Sequence, residues 1–311
     1  MEWQMETTLC NLCGSAASAP LYQIPDYLLE RDGQTTLVQC QECGLIYQTH
    51  RPTLAEMGAH YPPEYESYAL PPGKQTPRLL KLAYDYGKFK RTRIITRVKG
   101  GGHLLDVGCS TGTFLLAMRE KPGWQVSGVE ISEHAAQIAR DDYRLEVFTG
   151  TLDEAAFPAD TFDAVTLWDV FEHLHDPSGT LHEIHRVLKP GGVLVLRVPN
   201  ADSWDAKLFG KTWAGLDAPR HLYVFGRKTL QQILEKAQFR VDQWSCEIGS
   251  YPTFVLSVRF WMVQQGWKPG PRAQITRWLS HPVVRVLFSP FFYLYGLGLR
   301  GPLLIVVATK Q

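Results

Sequence analysis

The stretch His103-Leu104-Leu105-Asp106-Val107-Gly108-Cys109-Ser110-Thr111-Gly112-Thr113-Phe114 decides the fold of this 311-residue chain. It is a short apolar run that ends in an acid, followed by a glycine turn and a helical pattern from Phe114 to Met118. This order predicts a strand, a glycine-rich loop and a helix, which is how an open α/β sheet presents backbone N–H groups at the carboxyl end of a strand. We therefore expect a ligand-binding site at this loop.

The next predicted strand, Gln125 to Glu130, also ends in a carboxylate. Glu130 lies 24 residues after Asp106, where an acid can accept hydrogen bonds from both hydroxyls of a ribose. The loop reads D-x-G-x-x-x-G, whereas a dinucleotide fold needs G-x-G-x-x-G so that a pyrophosphate can approach the backbone. The spacing of Gly108 and Gly112 therefore argues against a dinucleotide ligand.

Later motifs extend this pattern, namely Gly150, the strand Phe162–Asp169, Glu172-His173-Leu174 and Arg186–Gly192, which leads into a strand at Val193 to Val198. Together with the glycine loop these make five motifs. In this order and spacing they resemble class I S-adenosylmethionine (SAM) dependent methyltransferases over roughly residues 90 to 245. The resemblance implies an α/β fold with a doubly wound, seven-stranded Rossmann-like methyltransferase sheet. We place its strands near 103–107, 125–130, 145–148, 162–168, 193–198, 240–247 and 303–309.

The resemblance also implies SAM as the methyl donor, an activity of the EC 2.1.1 class, and ten donor-binding residues: Asp106, Gly108, Cys109, Gly112, Glu130, Ile131, Thr151, Leu152, Trp168 and Asp169. By this resemblance the glycine loop approaches the methionyl group, and Asp106 orients the loop and the amino group. Glu130 holds the ribose hydroxyls and Ile131 stacks on the adenine. Trp168 and Asp169 lie where the methionyl end of SAM meets the acceptor. Thr151 and Leu152 line the adenine pocket, near a position where many relatives carry an acid that contacts the adenine amine.

An acceptor that is methylated must lose a proton, and two histidines compete for the role of general base. His173 follows the fourth strand on the cofactor side. His221 lies in the loop after the fifth strand, which faces the acceptor in the family that the chain resembles. The alternative for each histidine is a hydrogen bond to loop backbone. We expect His221 or His173 to be catalytic.

Four of the six cysteines form two C-x-x-C pairs 26 residues apart, Cys10/Cys13 and Cys40/Cys43. Four thiolates in this spacing suit a closed, tetrahedral structural zinc site, with unligated buried thiols as the alternative. We predict a zinc ribbon at 1–50, a Pro/Tyr-rich linker at 51–78 and the methyltransferase domain at 79–311. With the catalytic motifs, this layout resembles the methyltransferase type 11/12/23 group, including sugar C-methyltransferase-like members. The linker tyrosines then pack against either the cofactor cleft or the domain surface.

An aromatic, basic insertion at 249–301 precedes the last predicted strand. Residues 251–311 contain seven Lys/Arg and no Asp/Glu, whereas residues 1–75 contain three Lys/Arg and nine Asp/Glu. The most apolar run, Val286 to Leu299, has 14 residues interrupted by Pro290, too few to span a bilayer. We predict a helical hairpin that contacts a membrane surface through 254–300. The alternatives are a helical cap over the sheet and a dimer interface, so that the chain is a monomer or a homodimer.

The beginning of the chain lacks a basic and apolar leader, and the paired cysteines suit a reducing compartment, which predicts a cytoplasmic protein that is peripheral at the inner face of the membrane. The sequence favours methyl transfer, by in-line displacement, to a small-molecule or lipid-linked acceptor such as a sugar, a quinone or a similar metabolite. One alternative is an RNA methyltransferase, but the charge of −6 over residues 1–75 makes nucleic acid an unfavourable partner. A non-catalytic SAM-binding protein is the other alternative, and the intact glycine loop argues against it.

Overall fold

The structure is a computed structural model that describes residues 4–61, 78–246 and 250–311. In chain order, its strands are β1 Met5–Thr7, β2 Ser18–Asp26, β3 Arg31–Cys40, β4 Ile46–Gln48, β5 His50–Pro52, β6 Gly102–Val107, β7 Trp124–Glu130, β8 Glu146–Thr149, β9 Phe162–Trp168, β10 Leu188–Pro199, β11 Tyr223–Val224, β12 Phe239–Ser245 and β13 Leu303–Lys310. Its α-helices are α1 Leu54–Met57, α2 Arg78–Val98, α3 Thr113–Arg119, α4 Glu133–Tyr143, α5 Pro177–Val187, α6 Trp204–Phe209, α7 Arg227–Lys236, α8 Ser250–Gln264, α9 Pro269–Leu279 and α10 Pro282–Leu297.

Seven strands form the central sheet in the order β12-β13-β10-β9-β6-β7-β8. The strands from β10 to β8 pair in parallel, whereas β13 is antiparallel to both of its neighbours. This arrangement confirms the predicted doubly wound, seven-stranded sheet. The chain runs outward from β6 in one direction through β7 and β8, and in the other through β9 and β10. The carboxyl ends of β6 and β9 therefore flank the switch point at which such sheets bind ligands.

The central strands are apolar runs because helices cover both faces of the sheet. Leu167 and Leu196 pack into one core, while Leu115 of α3 and Ala139 of α4 pack into the core on the other face. Ser132 is the N-cap of α4, since its side chain accepts a hydrogen bond of 3.3 Å from the backbone N–H of Ala135. The two cores fix the strand ends that carry the candidate site.

The N-terminal strands share a sheet with the catalytic part of the chain. The order in this second sheet is β11-β4-β3-β2, and β11 follows His221 in the loop region after β10. Residues of both parts also form one core, which includes Leu45, Tyr47, Leu222 and Tyr223. The first fifty residues therefore do not form a separate body. Residues 62–77 of the predicted linker, and with them the predicted packing of Tyr65 and Tyr68, lie outside the described residues.

The insertion before β13 contains three helices, α8, α9 and α10, so the predicted two-helix hairpin is wrong in its helix count. Pro269 and Pro282 each occupy the first turn of a helix, where proline is favoured but cannot continue a preceding helix. Gly266 adopts a φ of 70° and helps to turn the chain between α8 and α9. Within the described ranges, every helix is too short or too polar to cross a bilayer.

Candidate functional site

The carboxyl end of β6 carries a buried acid at the switch point. Asp106 is 3% exposed and accepts a hydrogen bond of 2.5 Å from the hydroxyl of Thr166 on β9. Burial raises the pKa of Asp106 to about 7, despite that hydrogen bond. A cationic group of a ligand beside Asp106 would stabilise the ionised carboxylate, which fits the ammonium group of a methionyl moiety.

The loop after Asp106 depends on two glycines with positive φ. Gly108 has a φ of 73° and Gly112 a φ of 76°, conformations that other residues rarely adopt. A Cβ atom at Gly112 would also lie 2.4 Å from the side chain of Leu145. The thiol of Cys109 is buried, and burial raises its pKa well above the usual value. A buried, protonated thiol is a poor nucleophile.

Glu130 at the end of β7 connects the loop to the start of α4. Its carboxylate accepts hydrogen bonds from the backbone N–H groups of Ser110, at 2.7 Å, and Ser132, at 2.8 Å. Burial raises the pKa of Glu130 in spite of these bonds. Each carboxylate oxygen retains a second lone pair that can accept a ribose hydroxyl. The neighbouring Ile131 is 60% exposed, as expected for a side chain that stacks on an adenine.

The loop after β8 contains Thr151 and Leu152. The backbone N–H and the hydroxyl of Thr151 donate to one carboxylate oxygen of Glu154, at 2.7 and 3.0 Å, while Leu152 is buried in the core. Glu154 thus supplies an acid close to this loop, three residues after Thr151. Glu154 is not among the predicted site residues.

Trp168 and Asp169 lie at the end of β9 among cations. Asp169 forms a two-fold ion pair with Arg197, and this pair lowers its pKa although burial alone would raise it. The guanidinium groups of Arg91 and Arg197 lie 5.2 and 5.7 Å from the Trp168 ring. The carboxylate of Asp169 is therefore held by this chain's own arginines, and Arg91 brings α2 to the site.

Both candidate base histidines lie in one cluster with Glu172. The rings of His173 and His221 have centroids 4.6 Å apart, and the ligand atoms of the three residues all lie within 4.8 Å of one another. Burial lowers the pKa of His173 to about 3 and also lowers that of His221, so both imidazoles are neutral at pH 7. Burial and the nearby Asp169 raise the pKa of Glu172 well above its usual value. Glu172 is not among the predicted site residues, although it belongs to the Glu172-His173-Leu174 motif.

Hydrogen bonds orient both rings. His173 Nδ1 lies 3.0 Å from the carbonyl oxygen of Arg220 and 2.8 Å from the hydroxyl of Tyr61, and His221 Nδ1 donates to the carbonyl of Gly215 at 2.9 Å. The second nitrogen of His221, Nε2, lies 4.0 Å from the carboxylate of Asp217. Both histidines thus form the hydrogen bonds to loop backbone that the sequence offered as the alternative to a catalytic role. These bonds involve Nδ1, so the Nε2 atom of each ring is left for other contacts.

The N-terminal strands hold the loop that carries His221. Gln48 of β4 donates to the carbonyl of His221 at 2.8 Å. Arg220 is fully buried and forms bonds of 2.7 to 3.0 Å to Asp26 at the end of β2 and to Asp217. No local sequence pattern links Asp26 to Arg220, since 194 positions separate them.

The four paired cysteines converge as predicted. The Cys10 and Cys43 sulfurs lie 3.4 Å apart and those of Cys13 and Cys40 3.5 Å apart, and all four lie within 4.8 Å of one another. These separations are far from the disulfide length of about 2.05 Å. They are close to the roughly 3.8 Å between ligands of a tetrahedral zinc ion with Zn–S bonds of about 2.3 Å. The donor set therefore fits zinc.

Comparisons with known proteins agree with this geometry. A family model described as a methyltransferase domain matches residues 81–243. The demethylmenaquinone methyltransferase of Listeria welshimeri is 33% identical over 126 residues, which are 37% of this chain and 53% of that protein. The enzyme of the same name from Symbiobacterium thermophilum is 38% identical over 106 residues, which are 31% of this chain and 42% of that protein. The chain therefore spans about half the length of the curated relatives it matches.

Among solved structures, the crystal structure of the [4+2]-cyclase SpnF superimposes with a TM-score of 0.54 at 21% identity, covering 84% of this chain and 97% of that one. This likeness shows a shared fold. It carries no information on the reaction, because one fold hosts different chemistries.

Proposed function

We propose that this chain, which belongs to the methyltransferase domain family and is a SAM-dependent methyltransferase, methylates a quinol-type acceptor that reaches the site from a membrane surface. The curated relatives are named for demethylmenaquinone, which supports an aromatic, lipid-soluble acceptor. The observation that carries the proposal is an exposed apolar helix, α10, tethered to the region after β10 that faces the acceptor in this family.

The ten predicted donor-binding residues line the ends of four adjacent strands, in agreement with a SAM site there. SAM supplies an electrophilic methyl group on a sulfonium, so the protein's contribution is mainly positioning and exclusion of water. Asp106 would hold the ammonium group, and Glu130 would hold the ribose hydroxyls. Ile131 provides an exposed apolar surface for the adenine.

The acceptor meets the histidine cluster on the other side of the methyl group. We assign His221 as the group that accepts the acceptor's proton, because the nearby carboxylate of Asp217 would stabilise the imidazolium. His173 is the second candidate and packs edge-on against His221. A quinol hydroxyl, or the acidic ring carbon beside it, is the kind of group whose proton must leave before methylation.

The insertion provides the apolar surface for such an acceptor. Seven apolar side chains of α10 are 45 to 72% exposed: Val283, Val286, Leu287, Phe288, Phe291, Tyr293 and Leu294. Contiguous exposure of this kind marks an interaction site. Between α8, α9 and α10 lies an apolar pocket of about 250 Å³, lined by Tyr251, Phe254, Leu279, Phe288, Phe291 and Phe292.

Two contacts connect this surface to the site. The Tyr295 hydroxyl on α10 donates to Asp205 of α6 at 2.9 Å. Ser257 of α8 accepts a hydrogen bond of 3.0 Å from the backbone N–H of Ala214, whose neighbour Gly215 orients His221. We infer that α10 lies in the headgroup region of an anionic membrane and that an acceptor passes along it to the histidines. A second copy of the chain on α10 is the competing occupant.

We infer that the four-cysteine cluster binds a structural zinc ion that supports the acceptor side of the site. Cys10, Cys13, Cys40 and Cys43 would bind one zinc ion with no open coordination position, which makes the ion structural. The ion would join the turn before β2, which carries Cys10 and Cys13, to the turn after β3, which carries Cys40 and Cys43. These strands carry the buried core residue Leu37 and the Asp26 carboxylate that holds Arg220. Zinc loss should therefore disturb the acceptor side of the site.

The test uses the purified full-length protein with methyl-labelled SAM and three acceptor fractions, namely membrane lipid extract with reduced quinones, water-soluble metabolites and RNA. We expect label in the lipid fraction, and in a quinol isolated from it by chromatography. Label confined to RNA or to the water-soluble fraction would contradict the quinol proposal. Co-sedimentation with anionic vesicles separates membrane contact from dimerisation, which light scattering would reveal.

A further inference from the structure

The Glu172–His173–His221 cluster has a property that the proposed base does not require, namely three potential metal-ligand side chains close together. Its ligand atoms, one from each residue, lie within 4.8 Å of one another. The three residues come from the turn after β9 and the loop before β11. A single proton acceptor needs only one of these groups.

The hydrogen bonds of the rings determine which nitrogen is available. A backbone carbonyl can only accept, so the contact of His221 Nδ1 with the carbonyl of Gly215 places the proton on Nδ1. The carbonyl of Arg220 likewise favours a proton on Nδ1 of His173, and the Tyr61 hydroxyl, 2.8 Å from the same nitrogen, then accepts from that N–H as well. Both Nε2 atoms therefore carry a free lone pair. Histidines that bind metals show this arrangement, in which a carbonyl orients the ring through the nitrogen that is not a ligand.

Glu172 provides the third ligand and a second, independent observation. Its side chain is 1% exposed, and neither carboxylate oxygen has a hydrogen-bond partner in the described structure. A buried carboxylate without partners costs several kcal/mol of folding free energy unless it is neutralised or binds a cation. The nearby arginine Arg197 is engaged by Asp169. A metal ion would complete the environment of Glu172.

We propose that Glu172, His173 and His221 bind a divalent transition-metal ion, with positions left open for two oxygens of the acceptor. Two imidazoles and one carboxylate form a ligand set that binds zinc and ferrous iron while leaving sites for exogenous ligands. Ligands of such an ion lie roughly 3 to 4 Å apart, so closure requires side-chain shifts of up to roughly 1.5 Å. The cluster is distinct from the four-cysteine site, which is closed.

This inference deepens the proposed function and depends on it for the acceptor. An acceptor hydroxyl that binds the ion loses its proton to water, because a divalent ion lowers the pKa of a bound hydroxyl. The resulting oxygen anion forms the bond to the methyl carbon as the carbon–sulfur bond breaks, and the electron pair of that bond stays on sulfur. The ion then replaces direct proton transfer to His221. Acceptors with two neighbouring oxygens would be preferred.

The experiment measures metal per chain. The full-length protein is incubated separately with excess Zn²⁺, Co²⁺, Mn²⁺ and, anaerobically, Fe²⁺, then passed through gel filtration and analysed by mass spectrometry. We expect two equivalents of metal for the wild type with at least one of these ions, and one equivalent for Glu172→Gln and His221→Ala. His182→Ala, which removes an exposed histidine of α5, should retain two.

One equivalent in the wild type with all four ions would overturn the inference, as would two equivalents in both cluster variants. SAM binding by each variant, measured by calorimetry, establishes that the variants are folded. The proposed function is tested separately. If protein with one equivalent of metal methylates a quinol at the full rate, and a chelator does not change that rate, the proposed function is supported and the second ion is not needed. Two bound equivalents without any quinol methylation would refute the function alone.

Discussion

The buried ion pair between Arg220 and Asp26 connects the N-terminal strands to the histidine loop, and Asp26→Asn tests that connection. Arg220 is fully buried and donates two hydrogen bonds to Asp26, at 2.9 and 2.7 Å. The substitution preserves the shape of the side chain and removes its charge. Asp217 still pairs with the guanidinium, so the positive charge is not left without a partner.

The expected loss is about 3 kcal/mol of unfolding free energy. Removing one partner of a buried ion pair typically costs about 3 to 5 kcal/mol, and the remaining Asp217 carboxylate places this variant at the lower end. The kcat/KM for the acceptor should fall as well. The backbone carbonyl of Arg220 orients His173, and Arg220 directly precedes His221 in the sequence. SAM affinity should stay within about twofold of the wild type, since Asp106 and Glu130 contact neither residue of the pair.

Chemical denaturation, SAM calorimetry and steady-state kinetics measure these effects in the same preparations. The matched control is Asp160→Asn. Asp160 pairs with Lys310 at 2.9 Å, but its side chain is 54% exposed, so this ion pair should contribute at most about 1 kcal/mol. Two outcomes would refute the reasoning. One is an unfolding free energy equal to that of the control, and the other is a loss of SAM affinity as large as the loss of kcat/KM for the acceptor.

Three further perturbations test the remaining proposals. Glu130→Ala should weaken SAM binding at least about 30-fold in calorimetry, since loss of charge-assisted hydrogen bonds to two hydroxyls exceeds about 2 kcal/mol, and unchanged affinity would reject the site. Because the pKa of Asp106 is raised to about 7 and the SAM ammonium favours the ionised form, SAM affinity should rise about tenfold from pH 6 to pH 8, whereas Asp106→Asn should show no such rise. The double variant Leu287→Asp, Phe291→Asp should lose at least about 100-fold of its partitioning onto anionic vesicles, since each exposed side chain contributes about 1.5 to 3 kcal/mol when buried in the headgroup region. Leu54→Asp, at an exposed leucine on α1, should partition like the wild type, and equal losses would show that α10 is not the contact.

Local patterns were sufficient to predict the central sheet but not the acceptor side. The strand β6, its glycine loop and Glu130 lie within 30 residues of one another, and their spacing alone determines the geometry at the switch point. The histidine cluster depends instead on residues 172 and 221, which are brought together by contacts from Gln48 and Asp26. Such long-range side-chain pairs leave no periodicity in a single sequence. The N-terminal strands were therefore predicted as a ribbon, but their place in the site was not.

Ion pairs within the molecule connect the acidic N-terminal part of the chain to the basic insertion. Glu30, at the turn between β2 and β3, accepts hydrogen bonds of 2.7 and 2.8 Å from Arg272 of α9 and lies 3.5 Å from Arg259 of α8. Part of the acidic N-terminal excess thus neutralises part of the basic insertion inside the molecule. Lys268 and Arg277 of the insertion remain exposed. Because about 1 kcal/mol of membrane attraction is contributed per exposed cation near an anionic surface, this local charge, and not the net charge of +1, should determine the salt dependence of vesicle binding.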